Sequence, residues 1–381
     1  LVGSEMCIRD RVCMGLLLVL SSCHTGKQIT ASGLQRKDFQ TEVNGQHTDL
    51  FTLSNKQGME VCITNYGARV VSILVPDRNG KREDVVCGFS TITEYMEQRQ
   101  NFGSTVGRYI GRILNARFTL DGVEYKLVPN NGKSGHISHG GNPGFADRIW
   151  KVEQADTHRV RLSYLSPDGE NGFPGNLKVT LVYSLGEDDN ALDLTYEATT
   201  DAPTVLNLSH HSFFNISGNF TKSVEDQQLW VDADRFTPYD DKKCVTGEYL
   251  PVAGTPLDFR MPHTIGECID ADHPQLKVVN GYDHTWELNT KGDDTRPAAW
   301  VYDPASGRKM EIFTTEPGMQ IYTGNGLKGK MTGKGGIAYP FRSAVCFETM
   351  HFQDSPNQPG FPSTVLRPGE VFRSHTVYKF E

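Results

Sequence analysis

An all-β fold, a sandwich or a barrel built as one large domain, is what this sequence predicts. Apolar and polar residues alternate at the two-residue period of a strand in several segments. Glycine (38) and proline (19) are plentiful enough to supply many turns. From residue 41 to 381 there is no internal repeat, low-complexity linker or break in composition. The hydrophobic fraction of 37% suffices for a substantial core and, beside 22% charged residues, is too high for a disordered chain.

Taken in order, the one fair helix candidate is short, Thr91 to Gln98. Phe118 to Tyr125 reads as a hairpin turning on Asp121-Gly122, a pair that accepts the positive φ angles of a tight turn. Val160, Leu162 and Tyr164 alternate with Arg161 and Ser163. Leu177, Val179, Leu181, Tyr183 and Leu185 line one face of the next strand. Leu192, Leu194, Tyr196 and Ala198 do so within 191–199, opposite Asp193, Thr195 and Glu197.

The remaining composition excludes several classes. With 46 acidic and 38 basic residues the formal net charge is -8, and no basic cluster or run of like charge occurs, so no nucleic-acid partner is expected. Eight cysteines lie at wide spacings without a C-x-x-C, which indicates neither a disulfide framework nor a zinc knuckle; most are expected to be small buried apolar residues. Twelve histidines include no H-E-x-x-H or comparable set, so no catalytic metal is expected. Gly324-Asn325-Gly326-Leu327-Lys328-Gly329 fits G-x-G-x-x-G, but no strand–helix–strand pattern surrounds it, and it reads as a loop between strands.

The N-terminus is read as lying outside the fold. Arg9 and Arg11 precede the apolar run Val12 to Leu20 and then Ser21-Ser22-Cys23, the order of a secretory signal. The run is far shorter than the roughly 20 residues that span a bilayer. Leu20-Ser21-Ser22-Cys23 resembles the bacterial lipobox, in which the cysteine is acylated. The expectation is therefore a signal peptide over 1–22, lipidation at Cys23, a polar tether over 23–40, and a periplasmic, membrane-anchored product; an ordinary cleaved signal is the alternative. Residues 1–10 begin without methionine and are suspect as native sequence, with Met6 and Met14 as candidate starts.

Two stretches carry chemistry. Asn207-Leu208-Ser209-His210-His211-Ser212-Phe213-Phe214-Asn215 sets two histidines in an apolar run, and Cys346-Phe347-Glu348-Thr349-Met350-His351-Phe352 embeds one carboxylate in an uncharged one. A histidine near its ordinary pKa of about 6.5 and a glutamate in such settings make a plausible general acid and base.

Around these stretches, Asn101-Phe102-Gly103, Gly107-Arg108-Tyr109-Ile110-Gly111-Arg112-Ile113, Asn130-Asn131-Gly132, His139-Gly140-Gly141 and Gly172-Phe173-Pro174-Gly175 follow one another. Gly281-Tyr282-Asp283-His284 and Gln320-Ile321-Tyr322-Thr323-Gly324-Asn325 come next. In this order, over essentially all of 41–381, the chain resembles the aldose 1-epimerase (galactose mutarotase) family. The resemblance implies a large twisted antiparallel β-sandwich and a cofactor-free isomerase acting on free aldoses. It makes His211 the general acid toward the ring oxygen and Glu348 the general base toward the anomeric hydroxyl. Arg112, His139, Asp283 and Gln320 fall where the family contacts sugar hydroxyls, and Phe213 where it lines the site. Glu348, if close, is expected to hold up the His211 pKa by charge attraction. His210 is expected to be a satisfied core residue.

Three departures from the family pattern stand out. Gly111 replaces the asparagine common before the arginine, which removes one hydrogen-bonding side chain. Six residues, Lys133 to Ser138, separate Gly132 from His139 where four are usual, so His136 rivals His139; the following glycine pair favours His139. Met350 replaces a glutamine often found two residues after the base. The enzyme reading is accompanied by a second class, a non-catalytic sugar-binding lipoprotein of the same fold. The partner in either case is a small aldose, with membrane contact only through the lipid anchor and a monomeric chain.

Overall fold

The alternating segments pair into antiparallel ladders, and every strand pair in the three large sheets is antiparallel. The computed structural model describes residues 29–381; Cys23 and the proposed signal lie outside the described residues. Leu177–Leu185 forms a strand with the bounds its periodicity predicts, and Ala191–Thr200 extends one residue beyond its own. Val160 to Tyr164 lies inside Arg159–Ser166. Arg117–Leu120 and Val123–Lys126 close the predicted hairpin, with Asp121 at φ 51° and Gly122 at φ 81° as the two-residue turn demands.

One nine-stranded sheet runs Lys151–Ala155, Arg159–Ser166, Leu177–Leu185, Ala191–Thr200, Phe372–Phe380, Lys309–Thr314, Ala299–Tyr302, Gln228–Val231, His263–Thr264. A six-stranded sheet runs Phe213–Phe214, Val345–Met350, Gly318–Tyr322, Asp283–Glu287, Arg235–Thr237, Leu250–Pro251. A four-stranded meander covers Leu50–Ser54, Glu60–Thr64, Arg69–Pro76 and Arg82–Asp84. A single apolar cluster joins all three: Ile63 and Val70 from the meander, Leu181, Leu194 and Tyr378 from the nine-stranded sheet, Ile321 and Phe347 from the six-stranded sheet. Sheets sharing one buried layer make a sandwich rather than a closed barrel.

The helix forms at Ile92–Gln98 behind a reciprocal cap: the Thr91 hydroxyl accepts from the Glu94 amide, and the Glu94 carboxylate from the Thr91 amide. A second helix, Pro274–Val279, is too short for its periodicity to be read in sequence.

The tether expectation needs correction over its second half. Leu34 and Phe39 are buried in the cluster that also holds Phe89 and Tyr95. The amides of Ala31 and Ser32 donate to the buried Glu60 carboxylate. Two apolar side chains in a polar, aperiodic stretch are enough to bind it to the sandwich, so the packed unit begins well before residue 41.

Candidate active site

The strand Ser209–His211 pairs with Ser104–Val106, and Val345–Met350 lies between Phe213–Phe214 and Gly318–Tyr322. This register brings His211 and Glu348 together across adjacent strands, Nε2 to Oε1 at 3.3 Å. Both line a cleft of about 240 Å³ with Arg112, His139, Phe213, Asp283 and Gln320, so all seven residues expected at the site converge on it. Cys23, the eighth residue singled out, lies outside the described residues.

Each wall has a local cause. Ser138 pairs with Arg112 in a two-residue ladder, and the His139 amide donates to the Gly111 carbonyl. His139 then turns at φ 52° into Gly140, where a Cβ would sit 2.1 Å from the Gly107 carbonyl oxygen, so only glycine fits. Phe213 stacks on the His211 ring at 5.0 Å and 16°. Asp283 begins the strand Asp283–Glu287, and its Oδ1 accepts from Gln320 Nε2 at 2.7 Å. Gln320 Oε1 accepts in turn from Thr285 Oγ1, which fixes the amide orientation.

His211 and Glu348 are only 6% and 4% exposed. Burial, the largest influence on each, pushes the Glu348 carboxyl well above its ordinary range and the His211 imidazole well below its own. Asp283 adds to the first effect and His139 to the second. The expectation that Glu348 holds up the His211 pKa is therefore corrected. The two groups are close enough to attract, but the loss of water outweighs the attraction. His139 is held down to about 4 by burial and then by Arg112, and is neutral at pH 7. The Nδ1 atoms of His139 and His211 are buried with no hydrogen-bond partner among the described residues, capacity that a polyhydroxylated ligand can use.

The competing assignments separate cleanly. His210 is a core residue: its Nε2 lies 2.6 Å from Ser212 Oγ, and its ring packs on Tyr183 and Tyr378. His136 is absent from the cleft wall; its Nδ1 accepts from the Asn115 amide and its Nε2 meets Cys244 Sγ. Arg342, the arginine nearest Glu348 in sequence, pairs with Glu225 and Asp270. The glycine-rich 324–329 segment is a loop leaving the strand Gly318–Tyr322, and the next element is a 3-10 turn at Lys334–Gly336. Of the five described cysteines, Cys62, Cys87 and Cys346 are buried as expected, while Cys244 and Cys268 are partly exposed.

Sequence reasoning missed Gln353. It lines the cleft, donates through Nε2 to Tyr239 OH at 2.7 Å, and lies 3.4 Å from Gln320 Oε1. Gly111 has φ 75°, and a Cβ there would lie 2.6 Å from Gln353 Cγ. The space of the missing asparagine is thus filled by a glutamine from another loop. An amide on no recognised motif gives no signal in sequence; only the fold connects it to Gly111. Met350, the other departure, also lines the cleft.

A buried imidazole–carboxylate pair opening on a polar cleft of an antiparallel sandwich is suited to acid–base chemistry on a small polar ligand. The aldose 1-epimerase family model matches residues 49–379, and the chain belongs to that family. It is 39% identical to galactose mutarotase of Sus scrofa over 330 residues, 87% of this chain and 93% of that one. It is 36% identical to aldose 1-epimerase of Escherichia coli over 339 residues, covering 88% and 96%. Among solved structures, the GalM/aldose epimerase homologue of C. elegans superposes with a TM-score of 0.81 at 31% identity, covering 88% of this chain and 99% of that one. Galactose 1-epimerase of Lactobacillus acidophilus does so with a TM-score of 0.78 at 28% identity, covering 90% and 96%.

Proposed function

We propose that this protein is an aldose 1-epimerase, interconverting the α and β anomers of free hexoses such as glucose and galactose. The observation that carries the reading is the His211–Glu348 pair at 3.3 Å, buried yet open to a cleft lined by hydroxyl-binding groups. Glu348 takes the proton of the anomeric hydroxyl while His211 gives one to the ring oxygen. The C1–O5 bond breaks, C1 becomes an aldehyde carbon, and the C1–C2 bond rotates. The ring oxygen then adds to the other face, and both protons return. Proton count and charge are the same at the end as at the start, so the cycle consumes nothing.

The electrostatics serve this sequence. A carboxylate whose pKa is raised is a stronger base, and an imidazolium whose pKa is lowered is a stronger acid. Burial thus raises the energy of the charged pair before reaction and favours the neutral pair that accompanies the open aldehyde. Both shifts favour the proton movement of ring opening, and by the same cause they make the charged pair that starts it the less favoured form in the empty cleft. Asp283, held by Gln320, and neutral His139 offer fixed acceptors and donors to hydroxyls, and Phe213 offers an apolar wall.

Polarimetry of freshly dissolved α-glucose and α-galactose tests the reading. The purified protein is expected to accelerate the decay of optical rotation with no additive and to the same extent in a chelator. A decay at the buffer rate would return the chain to the binding-only class.

We propose further that the protein is exported and anchored through acylated Cys23. The basic flank, short apolar run and Leu20-Ser21-Ser22-Cys23 support this reading. No helix among the described residues is long and apolar enough to cross a membrane. The full chain is expected to fractionate with membranes and Cys23→Ala to release or misprocess it; wild type found wholly in the periplasmic soluble fraction would favour a plain cleaved signal.

A further inference from the structure

Behind the catalytic pair lies a third group that the proton chemistry does not use. Cys346 and Glu348 occupy alternate positions of the strand Val345–Met350 and therefore share a face. Their neighbours across the ladders are Phe213 on one side and Tyr322 and Gln320 on the other. Cys346 is a free, fully buried thiol, and its Sγ has no hydrogen-bond partner among the described residues. Ligand atoms of His211, Cys346 and Glu348 all lie within 4.8 Å of one another.

We propose that His211, Cys346 and Glu348 form an inhibitory site for a borderline-soft divalent cation of the zinc class. Zinc takes Cys sulfur at about 2.3 Å and His nitrogen and carboxylate oxygen at about 2.0–2.2 Å, so tetrahedral neighbours stand roughly 3.3–3.6 Å apart. The His211–Glu348 separation of 3.3 Å already meets that spacing, and the Cys346 sulfur, within 4.8 Å of both, has to close by up to about 1.2 Å to reach it. The fourth position faces the cleft, where water or a sugar hydroxyl can complete the shell. Three protein ligands with one open position is the arrangement of a catalytic zinc centre, but here the metal occupies the two atoms that must carry protons. Binding and turnover are therefore mutually exclusive.

Charge and proton balance follow. The cation is bound by a thiolate, a carboxylate and a neutral imidazole; the thiol proton and the proton shared by the pair leave to solvent. Because these protons are released on binding, occupancy rises with pH. Hard cations such as magnesium and calcium, which prefer oxygen shells of six or more, find one carboxylate and gain no foothold.

That occupancy silences the enzyme rests on the function proposed above, but occupancy itself does not. The test has one arm for each. Zinc chloride added to metal-free protein is expected to slow mutarotation reversibly, with full recovery in a chelator and protection by galactose. Cys346→Ala is expected to keep basal activity while the half-inhibitory zinc concentration rises by at least ~10-fold. Cobalt added to wild type is expected to show a thiolate-to-cobalt charge-transfer band that is absent in Cys346→Ala. Cys244→Ser, which removes the thiol beside His136, is expected to change neither readout. Unchanged zinc sensitivity in Cys346→Ala, or no thiolate band in wild-type protein, would overturn the proposal. If Cys346→Ala does not fold, the cobalt spectrum of wild type and of Cys244→Ser decides alone. A cobalt band in a protein without mutarotase activity would instead sink the function and leave the site.

Discussion

Glu348→Gln is expected to lower the rate of mutarotation by about 10²–10⁴-fold, the usual worth of one positioned proton transfer. His211→Asn should fall in the same range, whereas His210→Asn, which alters a core contact to Ser212, should lose far less. The stability changes run the other way and make the pair of variants diagnostic. The Glu348 carboxyl is raised in the folded state, so the stability it contributes below the ordinary value of 4.5 is lost as pH rises. Glutamine removes that loss, and Glu348→Gln should melt at or above the wild-type temperature at pH 7. The His211 imidazole is lowered, so wild type loses stability as pH falls below 6.5. His211→Asn should therefore gain on wild type at pH 5 and not at pH 8. Steady-state polarimetry and melting curves at the three pH values check both. A Glu348→Gln variant that is active, or His210→Asn as inactive as His211→Asn, would show that the proton carriers are misassigned.

Gly111→Asn should destabilise the protein by roughly 1–3 kcal/mol, the range for forcing atoms into a packed site. In sequence alone this change promises a lower KM, because it restores the side chain the family commonly carries there, unless the glycine holds a positive φ and the asparagine is destabilising. The structure reverses the sign: φ is 75° and Gln353 Cγ stands 2.6 Å from the new Cβ. Asparagine tolerates positive φ better than most residues, so the collision is the larger part. Gln353→Ala should raise KM with little effect on kcat, since a contact shared by ground and transition states is removed. The double variant should regain much of the stability lost by Gly111→Asn, with a coupling of about 0.5–3 kcal/mol. Strict additivity of the two melting shifts would show that residues 111 and 353 do not compete for one space.

Legibility in the sequence followed the length of each pattern. The nine residues of Leu177–Leu185 alternate without interruption and could be bounded to the residue. Two-residue ladders such as Arg112–Ile113 with Ile137–Ser138 have no periodicity to read, although they seat Arg112 and His139. His211 and Glu348 were legible because their motifs are continuous. Gln353 was not, because its place depends on the conformation of a glycine 242 positions earlier in the chain. The His211 pKa was misjudged for a related reason: charge attraction can be inferred from two residue types, but desolvation needs the depth of the cleft.

The last strand, Phe372–Phe380, is the fifth of nine in its sheet, between Ala191–Thr200 and Lys309–Thr314. The centre of the broadest layer is thus supplied by the strand that comes latest in sequence among the described residues. Until it arrives, two strand edges with unmatched amides and carbonyls stay open to any passing polypeptide. The nascent chain must hold these edges apart while it waits, a burden on chaperones that a consecutively ordered sheet escapes.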